Sequence, residues 1–214
     1  MLYILENTDM LPNELIDAAF PLLSQQRRKQ LSQYSMGSDR INCCVAYLLL
    51  RYALRKEYGY DGLPEFEFVE RGKPRLKDRT IPYFNLSHCK NAVACILSEA
   101  DTAVDIMDIR AVKPATLRRC CSEEERAAIQ QSNTPDRTFT ALWTRKECYS
   151  KLTGKGLLMD FRAITDELPE VRRIKTRYTE HYICSYVCKE ETEAVYPDIS
   201  ELLTFDELNS QDKH

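Results

Sequence analysis

Residues 143–157 read WTRKECYSKLTGKGL and combine a large aromatic side chain, a carboxylate and several cations within one short segment. At helical spacing, five of these side chains share one face: Trp143, Lys146, Glu147, Ser150 and Lys151. A Thr-Pro pair at 134–135 is typical of a helix start, and Gly154 is typical of a helix end. The pattern therefore predicts a helix from Pro135 to Thr153.

Two interpretations of this face stay open on spacing alone. Glu147 and Lys151 could form an ordinary i,i+4 ion pair on a solvated helix. The glycines favour a binding role, since Gly156 allows close approach of backbone and holds Lys155 at the bend. Cations beside a carboxylate at such a bend suit a phosphate together with a divalent metal ion.

A second carboxylate lies in the strand-like stretch AVDIMDI, residues 103–109. Alternation in a strand puts Asp105 and Met107 on one side and Ile106 and Asp108 on the other, so the two aspartates do not easily share one metal ion. Asp105 is thus a candidate metal ligand. The alternative is an acidic residue that merely lies near a strand end.

The stretch FNLSH, residues 84–88, carries Ser87 and His88 on opposite sides of a predicted strand, which argues against a serine–histidine catalytic pair. Either side chain could instead hydrogen-bond a ligand, or His88 could be structural. Upstream, RGKP at 71–74 places Lys73 in a turn that could equally be a solvated surface turn.

The first half of the chain is basic before its longest apolar segment. Arg27 and Arg28 lie in a helix that Ser24 could cap, and Arg40 lies at the start of a long, mostly buried helix predicted from about residue 38 to residue 58. Surface charge is one interpretation of these arginines, and an anion site is the other.

The remaining pattern predicts an α+β protein with strands at LYIL, EFEFVE, YFNLSH, NAVACILSE and AVDIMDI, and further strands at FRAITDEL, VRRIKTRYT and HYICSYVCKE. Residues 122–131 have serine three residues before glutamate, which predicts a capping box. The tail from residue 193 is polar and partly helical. A boundary near residues 98–102 predicts two units, 1–100 and 101–214.

Length, net charge and cysteine usage argue against several classes of function. The chain has 214 residues and a net charge of −3, which argues against a general nucleic-acid binder because phosphate-backbone affinity needs a broad basic face. We expect no membrane association and a cytoplasmic location, since no segment approaches the roughly 18 apolar residues of a span. Nine cysteines without a CxxC pair indicate small buried hydrophobes rather than disulfides or zinc ligands.

In this order, GKP, FNLSH, VDI and WTRKECYSKLTGKGL resemble the motifs of the 4′-phosphopantetheinyl transferases, specifically the larger monomeric kind that activate synthase carrier proteins. The resemblance extends from about residue 24 to residue 160. It implies two pseudo-twofold-related halves, each a long helix on a small antiparallel sheet, with coenzyme A bound in the cleft between them. The implied reaction transfers phosphopantetheine from coenzyme A to a carrier-protein serine and releases adenosine 3′,5′-bisphosphate.

The resemblance also assigns roles to individual residues. It makes Asp105 and Glu147 magnesium ligands, Glu147 also the base for the carrier serine, and Lys151 the catalytic cation beside the departing phosphate. The residues implied to contact the coenzyme are Lys73, Ser87, His88, Lys146 and Lys155, with Arg27 or Arg28 and Arg40 near the 3′-phosphate.

The chain departs from the family pattern at three positions. Met107 stands where a glutamate is common, which implies a magnesium ion with one more water, and Ala103 stands where glycine is common. Cys148 replaces a small serine or alanine. Two other functions are compatible with the same residues: a metal-dependent hydrolase of a coenzyme A pyrophosphate, and a non-catalytic binder of coenzyme A or a carrier protein.

Overall fold

The protein has a mixed α+β fold, as predicted, in a computed structural model of the chain. The structure describes residues 1–35, 37–68, 74–78, 83–156, 159–189 and 193–204. Lys73 of the predicted GKP turn lies outside these residues. None of the helices in the described segments is long and apolar enough to cross a membrane.

Two long helices dominate the molecule, and their bounds agree with the predicted ranges, although the residue before α3 is Gly37 rather than a Ser38 or Asp39 cap. The helices are α1 (Leu15–Ala19), α2 (Gln25–Leu31), α3 (Ser38–Tyr58), α4 (Pro114–Cys120), α5 (Glu123–Gln131), α6 (Pro135–Thr153) and α7 (Pro169–Arg172), with a further helical segment at 199–204. Glycines with left-handed backbone follow both long helices, Gly59 with a φ of 64° and Gly154 with a φ of 64°. The predicted capping box of α5 is present between Ser122 and Glu125.

The strands form three small sheets. They are β1 (Leu2–Glu6), β2 (Phe66–Phe68), β3 (Pro74–Leu76), β4 (Tyr83–His88), β5 (Ala92–Ser98), β6 (Ala103–Asp108), β7 (Lys175–Tyr178), β8 (Tyr182–Val187) and β9 (Ala194–Val195). One sheet has the order β4-β5-β1-β9, a two-stranded sheet pairs β2 with β3, and the third has the order β6-β8-β7. Helix α3 packs against the first sheet, and α6 packs against β6 and β8.

The first and third sheets meet along a seam between their edge strands, β4 and β6. At this seam, side chains of β4, rather than its backbone carbonyls, accept hydrogen bonds from backbone N–H groups of β6. The Oδ1 of Asn85 accepts a hydrogen bond from the Val104 N–H at 3.0 Å, and the Ser87 Oγ accepts one from the Ile106 N–H at 3.2 Å. The edge N–H groups of β6 are therefore satisfied, and the two sheets are held in one relative position.

Two predictions about the second half were wrong. Residues 161–168 are not a strand: the Asp160 carboxylate caps a 3-10 turn at Phe161–Ala163 by accepting from the Arg162 N–H. The first residues of the predicted strand at 171–179 belong to helix α7, because Pro169 can occupy a first helical turn and cannot donate to a ladder. The rest of that stretch forms β7.

The polar tail contributes to the first sheet, which the sequence pattern did not indicate. Strand β9 pairs parallel with β1, and Leu202 is buried in the core formed by α3 and the first sheet. All nine cysteines are free thiols, seven of them buried, which confirms their interpretation as small hydrophobes.

Candidate functional site

Asp105, Ser87 and Lys151 meet at the seam between the two sheets. The Lys151 Nζ donates to the Asp105 Oδ1 at 2.7 Å, to the Ser87 Oγ at 2.9 Å and to the Val104 carbonyl at 3.0 Å. The Ser87 hydroxyl donates to the same Asp105 oxygen at 3.0 Å. The structure thus joins residues from three separate sequence motifs, on β4, β6 and α6, in one hydrogen-bonded cluster.

Glu147 lies one turn before Lys151 on α6, and its carboxylate interacts electrostatically with both Asp105 and Lys151. Burial raises the pKa of its carboxyl group, the negative charge of Asp105 raises it further, and Lys151 opposes both effects. Within the described part of the chain, nothing donates a hydrogen bond to this half-buried carboxylate. Its negative charge is therefore poorly compensated, as is typical of functional carboxylates.

His88 lies at the end of β4 beside this cluster. Desolvation lowers the pKa of its imidazole, and the positive charge of Lys151 lowers it further, while Asp39 and Asp105 act in the opposite direction. Asp39 lies in the first turn of α3, so His88 is within electrostatic reach of both the start of that helix and Asp105. His88 thus connects the carboxylate site to the basic start of α3.

The face of α6 that the spacing predicted as one surface is divided in the structure. Lys146 is 3% exposed and donates to the Glu125 Oε2 at 2.7 Å, to the Phe161 carbonyl at 2.7 Å and to the Cys120 carbonyl at 3.1 Å. All three donors of its ammonium have protein partners away from Asp105. The expected coenzyme contact does not fit this arrangement, so we assign Lys146 a structural role.

Trp143 also belongs to the packing rather than to the site. Its ring stacks on Phe161 at a centroid distance of 5.0 Å and on Phe139 at 6.2 Å. This aromatic stack fastens the segment after α6 to the helix. Trp143 and Lys146 therefore fix α6 to α5 and to the segment that follows the helix.

The glycine bend after α6 folds back on the helix. Gly156 has a φ of 63°, which favours glycine, and its carbonyl accepts a hydrogen bond from the Ser150 hydroxyl at 3.0 Å. Lys155 lies between the two left-handed glycines with an exposed side chain. The bend presents this lysine to solvent, where an anionic ligand can reach it.

Arg27 on α2 and Arg40 in the first turn of α3 both place positive charge near the Cys44 thiol, where each lowers a pKa that burial raises. Arg27 is 8% exposed, donates to the Cys43 Sγ at 3.0 Å and stacks over Tyr47. In the segments that the structure describes, no carboxylate pairs with its guanidinium, and its Nε lacks a hydrogen-bond partner. A buried, uncompensated guanidinium is a suitable anion contact. Arg28 instead donates to the Pro21 carbonyl and stacks over Phe20.

Asn85 is a site residue that the sequence reasoning missed. It precedes Ser87 by two positions, so both side chains point to the same face of β4 and reach β6. The i,i+2 spacing of Asn85 and Ser87 within FNLSH could have indicated that both side chains face the same neighbouring strand. Asn85 anchors the backbone immediately before Asp105.

The donor chemistry of Asp105 and Glu147 fits a magnesium ion. Both carboxylates offer hard oxygens, and a cation between them would relieve the repulsion that raises the pKa of Glu147. No group of three or more acidic, histidine or cysteine side chains is placed for a metal ion among the described residues. Magnesium commonly takes one or two protein carboxylates and completes its shell with phosphate and water, so two are sufficient.

Comparisons with known proteins agree with the motifs. Residues 102–201 match the model of the 4′-phosphopantetheinyl transferase superfamily. The 4′-phosphopantetheinyl transferase psf-1 of Bacillus pumilus is 27% identical over 172 residues, covering 78% of this chain and 72% of the relative. A 4′-phosphopantetheinyl transferase of Bacillus subtilis is 26% identical over 210 residues, covering 90% and 92%.

A further relative, the 4′-phosphopantetheinyl transferase Sfp of Bacillus subtilis strain 168, is 22% identical over 193 residues, covering 85% of this chain and 86% of the relative. The similarity thus spans both long helices and the seam between the sheets. The chain belongs to the 4′-phosphopantetheinyl transferase superfamily.

Proposed function

We propose that this chain transfers the 4′-phosphopantetheine arm of coenzyme A to a serine of an apo acyl or peptidyl carrier protein, with magnesium, and releases adenosine 3′,5′-bisphosphate. The observation that carries the proposal is the cluster at the seam. There a lysine pairs with Asp105, while the carboxylate of Glu147, whose pKa is raised, receives no hydrogen bond from the residues that the structure describes. Substitution of a phosphoanhydride by a hydroxyl needs such a base and such positive charge.

In the proposed reaction, Glu147, Lys151 and Asp105 have different roles. Glu147 accepts the proton of the carrier serine, whose oxygen forms a bond to the phosphorus of the phosphopantetheine group. The bond from that phosphorus to the nucleotide oxygen breaks, and Lys151 stabilises the negative charge on the departing phosphate. Asp105 and Glu147 hold magnesium, which supplies further positive charge when bound.

For Lys151 to act in this way, one of its protein partners must give way to a phosphate oxygen. The Val104 carbonyl is the neutral, longest contact at 3.0 Å, and the Asp105 ion pair at 2.7 Å is the shortest. We expect the ammonium to keep Asp105 and exchange the Val104 carbonyl. Lysine suits this exchange because its three donors rotate on a flexible stem.

The coenzyme is proposed to bind in a cleft between two pseudo-twofold-related halves. The position of the carboxylates at the β4–β6 seam supports this placement, as does the packing of one long helix on each of the two larger sheets. Arg27 and Arg40 would contact the 3′-phosphate, His88 and Ser87 the pyrophosphate, and Lys155 the phosphate from the glycine bend. Lys73 keeps its expected coenzyme contact as a prediction.

Met107 lies beside Asp105 on the same side of β6 and packs against the core of the second half. A thioether is a poor ligand for a hard cation, so we propose that water takes the corresponding magnesium position. We further expect a cytoplasmic monomer.

Product analysis tests the proposal against its two alternatives. The protein is incubated with coenzyme A, magnesium and an apo carrier protein, and both the nucleotide and the carrier are quantified. Equal amounts of adenosine 3′,5′-bisphosphate and modified carrier support the transferase. Nucleotide without modified carrier supports the hydrolase, and coenzyme binding without either product supports the binder.

A further inference from the structure

Three hydroxyl side chains form a hydrogen-bonded chain beneath the carboxylate site. The Ser185 Oγ on β8 lies 2.8 Å from the Thr144 Oγ1 on α6 and 3.1 Å from the Thr176 Oγ1 on β7. Ser185 and Thr144 are each 0% exposed, and Thr176 is partly buried. The Ser185–Thr144 hydrogen bond therefore links the third sheet to α6 where water does not reach.

The Thr144 hydroxyl is placed between two partners. Its Oγ1 lies 3.2 Å from the Ala141 carbonyl of its own helix and 2.8 Å from the Ser185 Oγ. Either hydroxyl can be the donor in the Ser185–Thr144 pair, because each carries one proton and can also accept. The buried Ser185–Thr144 hydrogen bond forms only when α6 lies at one position on β8.

The chain lies next to the proposed catalytic residues on both elements that it connects. Ser185 is the register partner of Asp105 across the β6–β8 pair, so their side chains lie on the same face of the sheet. Thr144 precedes Glu147 by three residues on α6, a rise of about 4.5 Å. A shift of α6 along β8 would move Glu147 relative to Asp105 directly.

We propose that Thr144 and Ser185 are positioning residues that fix the register of α6 on the third sheet, and thereby the separation of Glu147 from Asp105. The inference rests on the proposed function, since that function gives the separation its importance.

Apolar packing alone specifies this register less sharply. The other contacts of α6 with this half include non-directional apolar packing, as for Phe139 and Leu142, and the hydrogen bonds that Lys151 donates to β6 from a flexible stem, which can follow a small shift. A hydrogen bond at 2.8 Å weakens steeply with the same displacement. A misplacement of about 1 Å can cost on the order of a hundredfold in rate, so such precision is functionally relevant.

Helix α6 itself offers a matched control. Thr140 is also 0% exposed and also donates to a carbonyl of its own helix, that of Asp136 at 2.8 Å. Its hydroxyl has no partner on β8 among the described residues. Thr140→Val and Thr144→Val therefore remove the same kind of intrahelical bond, and only Thr144→Val also removes the link to Ser185.

The experiment compares Thr144→Val, Ser185→Ala, Thr144→Ser and Thr140→Val with the parent protein in three measurements. Manganese binding in the presence of coenzyme A is followed by electron paramagnetic resonance of the free ion. The kcat and KM of arm transfer are measured, and thermal unfolding reports on stability.

We expect Thr144→Val and Ser185→Ala to weaken manganese binding about tenfold and to lower kcat by about ten- to a hundredfold with little change in KM. Thr144→Ser should stay within about threefold of the parent, because it keeps the hydroxyl, and Thr140→Val within about twofold. If Thr144→Val does not fold, Ser185→Ala decides.

Two results would overturn the inference. One is unchanged manganese binding and kcat in Ser185→Ala and Thr144→Val despite a lower melting temperature, which would make the chain purely structural. The other is an equal loss in Thr140→Val. If the parent bound manganese but transferred no arm, the proposed function would fail, and manganese binding would still test the register separately.

Discussion

Replacing Lys146 with methionine should destabilise the protein and leave coenzyme A affinity almost unchanged. Its ammonium lies between the Glu125 carboxylate and the carbonyls of Cys120 and Phe161. The side chains of Lys146 and Glu125 are 4% and 16% exposed. Methionine keeps much of the side-chain volume and removes the charge, so Glu125 and two carbonyls lose their donor.

The size of the effect follows from this environment. Breaking a buried ion pair by removing one partner costs about 3–5 kcal/mol, because the other charge stays buried without compensation. For a chain of this size, each kcal/mol corresponds to about 2–4 °C, which predicts a fall in melting temperature of about 6–20 °C. The loss is moderated because the Ser122 N–H still donates to the Glu125 Oε2 at 2.8 Å.

The assay pairs thermal unfolding with calorimetric titration of coenzyme A, using Lys155→Met as control. Lys155 is exposed at the glycine bend, so its variant should keep the melting temperature and bind coenzyme A more weakly. The opposite pattern would refute the structural role of Lys146. In that case the Lys146→Met protein would keep its melting temperature, and its coenzyme A affinity would fall more than about tenfold, which corresponds to 1.4 kcal/mol.

Three further predictions address the site and the end of α6. Burial and then the charge of Asp105 raise the pKa of Glu147, so the folded protein binds this proton more tightly than the unfolded chain, and stability falls as pH rises above the ordinary glutamate pKa. Glu147→Gln should therefore increase the unfolding free energy near about pH 8 and have little effect near about pH 3. Urea titrations of the variant and the parent at the two pH values measure this, and an equal increase at both pH values would contradict the raised pKa. Asp105→Asn should abolish transfer, while native mass spectrometry still detects a folded, monodisperse protein. Transfer above about a tenth of the parental rate would contradict the assignment of Asp105 as a magnesium ligand. Gly154→Ala should lower the unfolding free energy by about 1–2 kcal/mol, because alanine must adopt the same φ of 64°, and an unchanged urea midpoint would show that the bend relaxes.

Local signals were sufficient for the parts of the fold that are held by neighbouring residues. The bounds of α6 follow from a proline at its start and a glycine at its end, and the capping box of α5 follows from Ser122 and Glu125. The long helix α3 follows from its apolar composition, and its observed range, Ser38–Tyr58, agrees with the prediction. In each case the stabilising contacts lie within a few residues along the chain.

Long-range contacts explain what the sequence did not predict. Lys146 and Glu147 are adjacent, yet one points towards α5 and the other towards Asp105, because helical neighbours diverge by about 100° and only the packing of α6 decides which side faces which partner. The pairing of β9 with β1 depends on residues almost two hundred positions apart. Local patterns carry no information about such partners.

The sequence indicated the individual candidate residues but not the hydrogen bonds between them. Asp105, Ser87 and Lys151 were each candidates, and their shared hydrogen bonds arise only when β4 and β6 meet. Asn85, which contributes to that meeting, looks like an ordinary strand residue in isolation. Its importance follows from the unpaired edge of β6, which is a property of the assembled sheets.

Intact-mass analysis of an apo acyl or peptidyl carrier protein is the most direct test of the proposed transfer. The carrier is incubated with this protein, coenzyme A and magnesium, with and without a chelator. We expect the carrier to gain about 340 Da, the mass of the phosphopantetheine arm, and we expect the chelator to abolish this gain. No gain on any of several carriers, although the protein binds coenzyme A, would contradict the proposed transfer.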